Sequence, residues 1–261
     1  MTMIRALVLG AALVAGGVAT ASAADLYNRG GSLKDGYAPA PVVGPSSWYI
    51  RGDVGYGVFD RPTIIEEKRF GLSDTSIDGN WAIGGGVGYH FSKSVRGDLT
   101  WDHRFESDVN GFIPAGPKLV SFPGQRTFGL KSDVFLANVY YDFNSLGHFT
   151  PYLGLGLGLT HNQTQTGTVT DTCDCAGFTN GTVAGASKWS VAGALMAGAS
   201  IELRDRLHLD AGYRFLYLGD AHTGVINGTK PVTAALAPGG DPAVTDIYAH
   251  EFRVGLRYDI R

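Results

Sequence analysis

Arginine and acidic residues recur in this chain at spacings of two or four residues, a pattern that suits ion pairing. Arg96 and Asp98, for example, are followed by Asp102 and Arg104. Because successive side chains of a β-strand point to opposite faces, residues two or four apart share one face. Arginine can bind a carboxylate through two parallel hydrogen bonds, and buried charges are costly unless they are paired. We therefore predict a buried ionic network with a structural role, formed by Arg51, Asp53, Arg96, Asp98, Asp102, Arg104, Asp210, Arg214, Glu251, Arg253 and Arg257.

Histidine and serine residues near the ends of the same segments raise the alternative of an enzyme that acts on lipid or peptide. The candidate groups are His103, His161, Asp220 and His222, with Ser107, Ser187 and Ser190 as nucleophiles. No nucleophile motif and no zinc-protease spacing joins them. A serine or aspartate within hydrogen-bond distance of His103 or His222, with a third orienting group, would favour an enzyme. Without such a motif, the sequence predicts no catalytic residues.

The two cysteines, Cys173 and Cys175, are separated by one residue in a Thr-rich segment. An oxidising compartment would allow a disulfide within this segment, and the sequence leaves open whether it forms. A metal site that uses both thiols and His161 is the alternative. The spacing is shorter than the usual C-x₂-C, and there is no second pair. We therefore predict no metal and no cofactor.

Eight segments of about ten residues alternate apolar side chains with polar, charged or glycine ones. In the clearest, 248–258, Phe252, Val254 and Leu256 share one face and the charged residues share the other. Segment 151–160 alternates leucine with glycine, which disfavours a helix and is consistent with a strand. The predicted strands are 48–59, 80–91, 95–105, 128–143, 151–160, 188–203, 207–218 and 248–258.

The charged faces determine which side of these strands would point into a barrel. Paired arginines and acids suit an enclosed lumen, and the apolar faces would then meet lipid. An eight-stranded interior is only wide enough to be filled by side chains, so we interpret the inward glycines as room for long charged residues. Glycine that only relieves twist or close approach is the alternative. A secreted soluble barrel that holds a ligand would require Leu153, Leu155 and Leu157 to point inward.

The N-terminus has the pattern of a secretory signal peptide. Arg5 precedes an apolar stretch, 6–19, and Ala21-Ser22-Ala23 is typical of a cleavage site. We predict a signal peptide at 1–23, a flexible periplasmic Pro/Gly-rich lead-in at 24–47 and a barrel at 48–261. The sequence contains no other run of about 18 apolar residues that would form a transmembrane helix.

Composition agrees with this interpretation. Glycine makes up 38 of 261 residues, about twice the average usage, with no collagen period. The formal net charge is −3, so no basic surface argues for a nucleic-acid partner. A mean hydropathy of +0.02 suits a protein whose exterior is partly solvated by lipid, although soluble enzymes share such values.

The lengths of the connections predict an orientation. Short connections at 92–94, 144–149 and 204–205 alternate with long ones at 60–79, 106–126, 161–187 and 219–246. Transmembrane barrels have short periplasmic turns and long extracellular loops. The pattern thus predicts an all-β, eight-stranded antiparallel transmembrane barrel, integral to the outer membrane, with both termini in the periplasm.

Five segments resemble a known family: GPSSWYIRGDVGY (44–56), ANVYYDF (137–143), PYLGLGLG (151–158), LDAGYRFLYLGD (209–220) and FRVGLRY (252–258). They are similar to the small outer-membrane barrels of alphaproteobacteria that are grouped with opacity-type surface antigens and loosely called a porin family. The resemblance implies a structural and surface-antigen role, with a narrow pore for small solutes as a further option. It also implies contact with outer-membrane lipid, lipopolysaccharide and the barrel-assembly machinery, and no catalytic residues.

Overall fold

The computed structural model describes residues 47–66, 70–113, 124–144, 146–171, 180–228 and 242–260. The predicted signal peptide, nearly all of the predicted lead-in, and Cys173 and Cys175 lie outside these ranges. Within them, no helix is long and apolar enough to cross a membrane. The strands of the described ranges are β1 (Trp48–Phe59), β2 (Thr63–Glu66), β3 (Phe70–Gly71), β4 (Ser73–Ile77), β5 (Asn80–His90), β6 (Val95–Ile113), β7 (Gly124–Asp142), β8 (Phe149–Thr164), β9 (Gly167–Asp171), β10 (Asn180–Val183), β11 (Ser187–Arg204), β12 (Leu207–Tyr217), β13 (Ala221–His222), β14 (Ile226–Gly228), β15 (Pro242–Thr245) and β16 (Tyr248–Ile260).

Eight long antiparallel strands close into a barrel, as the alternating pattern predicted. Their order is β1-β5-β6-β7-β8-β11-β12-β16, and β16 pairs back onto β1. Following paired residues around all eight strands from Trp48 returns to β1 at Val58, a stagger of ten residues. A stagger of this kind goes with strands tilted by about 40° from the barrel axis. Closure pairs the backbone groups between strands, so the barrel wall has no open edge.

The apolar side chains of the barrel strands face outward. On β8, Leu153, Leu155, Leu157 and Leu159 are 50–55% exposed, while the glycines between them face the interior. Similar alternation occurs on β1, where Ile50, Val54 and the other outward residues are exposed. The soluble ligand barrel needed those leucines inside, so this alternative does not describe the structure.

Three short connections lie at one end of the barrel, which we call the short-turn end. They join β5 to β6, β7 to β8 and β11 to β12, and two of them contain a residue with positive φ, Gly147 and Arg206. The start of β1 and the end of β16 lie at the same end. The opposite end, which we call the long-connection end, carries the four long connections predicted from the sequence.

Short strands, which the sequence analysis did not predict, occupy these long connections. The β6–β7 hairpin extends to Ile113 and Gly124, well beyond the predicted ends at 105 and 128. The strands β9, β10 and β14 add to the edge of β7, and β13, β15, β2 and β3 form a separate four-stranded sheet. The described part of the long-connection end is therefore built largely from paired backbone.

An apolar core fills the long-connection end and the adjoining part of the barrel interior. The sequence analysis predicted the ionic part of the interior and did not predict this apolar part, where inward residues such as Leu136 and Leu216 are apolar and buried. The segments that form the long connections supply apolar residues that pack onto them. We call this cluster the apolar cap: Ile64, Ile77, Val109, Phe128, Leu130, Val134, Leu136, Val169, Val183, Ala192, Ala194, Leu216, Leu218, Ala221, Ile226, Val244, Ile247 and Ala249.

Val109→Asp should loosen the apolar cap and leave the barrel closed. Val109 is fully buried, and a carboxylate there would have no positive partner in the cluster. We expect trypsin to cut the long connections about tenfold faster in the detergent-purified variant than in the wild type, because local opening controls cleavage.

The matched control is Val225→Asp, since Val225 is 55% exposed at the same end. Equal protease resistance of Val109→Asp and the wild type would show that the cap does not hold the long connections together.

Candidate functional site

All eleven residues of the predicted ionic network point into the barrel, where the described structure buries most of them. Nine are buried as whole residues, and the side chains of Arg51 and Arg253 are 8% and 13% exposed. They face inward because each occupies the polar position of an alternating strand. Together they occupy the interior between the short-turn end and the apolar cap.

The largest cluster lies next to the apolar cap and joins opposite walls of the barrel. Asp102 on β6 accepts hydrogen bonds from Arg253, at 2.7 and 3.0 Å, and from Arg214 at 2.6 Å. Arg214 also donates to Glu251 at 2.9 Å, and Arg104 is paired with Glu251. Since β6 and β12 are four strands apart in either direction, the Asp102–Arg214 pair spans the lumen. The cluster therefore braces the barrel across its width.

A second cluster lies nearer the short-turn end and centres on Arg51. Its guanidinium donates to both oxygens of Asp53, at 2.7 and 2.9 Å, and to Asp98 at 3.0 Å. The Tyr140 hydroxyl is 3.0 Å from Arg51, and Asn138 donates to Asp98 at 2.7 Å. Each charge thus has polar partners, as a low-dielectric interior requires.

The remaining arginines pair near the short-turn end. The Arg96 Nε lies 2.9 and 3.1 Å from the two oxygens of Asp142, and its guanidinium lies 4.2 Å from the Tyr140 ring centroid. Arg257 donates to Asp210 at 3.2 Å. Asp142 was not included in the predicted network, although it occupies the same alternating position as the others.

A histidine–aspartate group at the short-turn mouth was missed by the sequence analysis. The two oxygens of Asp259 lie 3.2 Å from His90 Nε2 and 3.1 Å from His208 Nε2. Asp259 follows Arg257 by two residues and so shares its inward face. Extending the alternation past the predicted strand end at 258 would have found it.

Inward glycines provide the space that these long side chains occupy. A Cβ atom added to Gly84 would collide with the Asp102 carboxylate, and one added to Gly88 would collide with the Tyr49 ring. Both glycines lie on β5, which presents nearly bare backbone to the lumen. This observation supports the interpretation of the glycines as room for charged residues.

The described side chains leave a small space in the lumen at this level. A cavity of about 20 Å³ lies in the middle of the lumen beside Arg51, Tyr140, Tyr152, Arg214 and Arg253. A volume of this size holds about one water molecule. The interior is a packed ionic core at this level, and it adjoins the apolar cap.

The two histidines of the catalytic criterion, His103 and His222, lie in different environments. His103 faces outward, with its Nδ1 2.9 Å from Asp133 Oδ1, and Trp101 Nε1 donates to the same oxygen at 3.2 Å. The predicted criterion of an acid and an orienting group is therefore met at His103. In the described ranges, no serine contacts its ring, so the nucleophile is missing.

His222 lies at the long-connection end in a different kind of cluster. Lys188 Nζ is 2.8 Å from His222 Nε2 and 3.3 Å from Asp220 Oδ2, and Ser190 donates to the Asp220 carbonyl at 2.9 Å. These contacts fix the segment after β12 to β11. Across the described ranges, no three His, Cys, Asp or Glu side chains are grouped as metal ligands would be.

Comparisons with known proteins agree with this architecture. The family model described as outer membrane protein beta-barrel domain matches residues 10–259. An uncharacterized protein of Brucella abortus strain 2308 is 32% identical over 275 residues, which cover 94% of this chain and 94% of the relative. Outer membrane protein PagN of Salmonella typhimurium strain LT2 is 28% identical over 70% of this chain and 83% of its own length.

Two solved structures are similar at low sequence identity. The outer membrane protein OprG from Pseudomonas aeruginosa has a TM-score of 0.48 at 16% identity, with 83% of this chain and 96% of that chain covered. Neisserial surface protein A has a TM-score of 0.43 at 17% identity, with 82% and 97% covered.

Gly84→Ala should destabilise the folded barrel because its methyl group would displace the Asp102 carboxylate from its arginine partners. Overpacking of this kind typically costs about 2 kcal/mol. The measurement is urea unfolding of the detergent-folded chain, followed by the difference in gel migration between the folded and unfolded forms.

Gly52→Ala is the control, since a Cβ there has only the Gly84 carbonyl oxygen nearby, at 3.9 Å. If both variants unfold at the same urea concentration as the wild type, the lumen accommodates a methyl group at Gly84 and the predicted clash with Asp102 is wrong.

Proposed function

Since the chain belongs to the outer membrane protein β-barrel domain family, we propose that it is an integral outer-membrane protein with a structural and surface-display role. The observation that carries this proposal is the inverted distribution of polarity, with exposed leucines outside and paired arginines inside. Such an exterior is unfavourable in water and favourable in lipid. The contacts with outer-membrane lipid, lipopolysaccharide and the assembly machinery follow from this location and are part of the proposal.

The proposed orientation places the short-turn end and both termini in the periplasm. Known transmembrane barrels have short periplasmic turns and long extracellular segments, and this chain has three short connections at one end. The paired strands of the long connections would then lie at the cell surface and cover the buried apolar cap. A compact, well-packed surface of this kind suits display to other molecules.

The packed interior argues against a wide pore. Ion pairs span the lumen at Asp102 and Arg214, and the apolar cap lies next to them. An ion crossing this interior would have to separate paired charges and then pass an apolar region, and both steps are costly. We therefore place slow passage of small solutes through a narrow pore second to the structural role.

An enzyme at the outer rim is the other candidate, and one observation favours it. His103 is oriented by Asp133 as a general base would be, with Trp101 on the same carboxylate. Hydrolysis would also need a nucleophile or a held water and a group that stabilises the oxyanion, and the described contacts of His103 supply neither. We therefore propose that the protein is not an enzyme.

Surface labelling tests the location and the orientation together. An epitope tag between Asp78 and Gly79 would lie at the long-connection end, and one between Asp205 and Arg206 would lie in a short turn. We expect antibody to bind the first tag on intact cells and the second only after the outer membrane is permeabilised. Binding of the second tag on intact cells would contradict the orientation, and solubility of the chain without detergent would contradict the membrane location.

Arg253→Ala should lower the free energy of unfolding more than it changes conductance. Removing Arg253 takes two hydrogen bonds from the buried Asp102, and breaking a buried ion pair typically costs about 3–5 kcal/mol. Urea unfolding in detergent measures the first quantity, and single-channel recording in planar bilayers measures the second.

The matched control is Arg206→Ala, because Arg206 is exposed in a short turn and should contribute less than about 1 kcal/mol. A large wild-type conductance that Arg253→Ala alters, without a loss of stability, would reverse the order of the structural and pore roles.

A further inference from the structure

A row of polar side chains crosses the outside of the barrel near its long-connection end. In the sheet register, His103 on β6 is opposite Asp133 on β7, Asp133 is opposite His161 on β8, and His161 is opposite Trp189 on β11. All four occupy outward positions of their strands. We call His103, Asp133, His161 and Trp189 the outer row.

The outer row borders the apolar belt of the barrel. On β6, β7 and β8, the next outward residues toward the short-turn end are Trp101, Phe135 and Leu159. They are 49%, 43% and 50% exposed, as lipid-facing residues are. Two residues in the other direction, on β7 and β8, the outward side chains are Lys131 and Gln163. The outer row thus marks the border where the outward side chains of β7 and β8 change from apolar to polar, and it rises toward the long-connection end from β6 to β11 because of the ten-residue stagger. On β6 the outward residue beyond His103 is Phe105, which is 44% exposed. In a bilayer, headgroups lie along this border.

The two imidazoles of the outer row are held in place by their neighbours. His103 Nδ1 contacts Asp133 at 2.9 Å, and His161 Nδ1 contacts Gln163 Nε2 at 3.1 Å. The ring of His161 is stacked on Trp189, with centroids 4.7 Å apart and an interplanar angle of 17°. Among the described residues, neither ring has a hydrogen-bond partner at Nε2. Both rings thus present an unused polar atom near the border between the apolar belt and the headgroups.

We propose that His103 and His161 bind the phosphate group of an outer-leaflet lipid through these Nε2 atoms. Phosphate is a strong acceptor, and its hydrogen bonds with a protonated imidazole are charge-assisted. Lipid headgroups are the phosphates that reach this level of the barrel exterior, whereas free phosphate has no apolar part to occupy the adjoining belt. The inference rests on the proposed outer-membrane location and specifies the lipid partner.

The charges around the outer row make this binding dependent on pH. Histidine side chains in general change charge between pH 5 and pH 8. Asp133 faces His103 and is the register partner of His161, and Lys131 is paired with Glu106 at 3.0 Å. With both imidazoles protonated, the row carries two positive charges against one carboxylate. With both neutral, only the carboxylate charge remains, and it opposes the binding of phosphate.

The experiment measures the unfolding temperature of the full mature chain, folded in detergent, by its gel migration. The probe is bisphosphorylated lipid A, compared with the same lipid after enzymatic removal of its phosphates and with inorganic phosphate at equal concentration. We expect only the phosphorylated lipid to raise the unfolding temperature, with an apparent affinity about tenfold higher at pH 5.5 than at pH 8.0. In the double variant His103→Gln, His161→Gln, this pH-dependent gain should be lost.

The control variant is His208→Gln, whose histidine lies in the lumen mouth and should leave the lipid effect unchanged. The two single variants are measured as well, so that the question can still be answered if the double variant does not fold. The proposal is overturned by an equal effect of the dephosphorylated lipid, by an effect of inorganic phosphate, or by an unchanged gain in the glutamine variants. Failure of the outer-membrane location is distinguishable, since it would appear in the tag experiment while the chain still folds in detergent.

Discussion

Pairing between guanidinium and carboxylate groups inside the barrel is the interaction on which the rest of this structure depends. An exterior made for lipid leaves the polar face of each barrel strand pointing inward, and on β1, β6, β7, β12 and β16 this face carries charges that no bulk water compensates. Asp102 shows the solution, since it binds Arg214 from the opposite wall and Arg253 from a nearer strand. Glycine on β5 leaves room for that carboxylate. The apolar exterior, the charged interior and the bare backbone of β5 are therefore parts of one arrangement.

The eight barrel strands and the facing of their residues could be predicted because long alternating segments leave little ambiguity. The bounds of β1 were predicted at 48–59 and were observed there. The pairs within the network could not be predicted in the same way. Which arginine meets Asp102 depends on the ten-residue stagger, and the stagger is set by the registers of all eight strands together. The alternating pattern therefore predicts which charged residues are buried, but it does not predict which of them form ion pairs with each other.

The apolar cap and its short strands were missed for a related reason. Strands such as β2 and β15 have four residues each, and an alternation that short is not distinguishable from chance. Leu216 shares the inward face of β12 with Asp210 and Arg214, but the apolar residues that pack onto it come from the long connections, whose fold the alternation does not predict. The outer row was missed because its members, His103, Asp133 and His161, come together only across three strands.

Pairing between the distant segments Thr63–Glu66 and Pro242–Thr245 has a consequence for antibodies raised against this protein. Residues far apart in the chain are neighbours on one small sheet, and the apolar cap beneath it joins the other connections to it. Antibodies that bind the long-connection end of the folded protein should recognise discontinuous epitopes. Antibodies raised against a linear peptide copied from one connection should then bind the folded barrel poorly, whereas the intact barrel presents the native epitope.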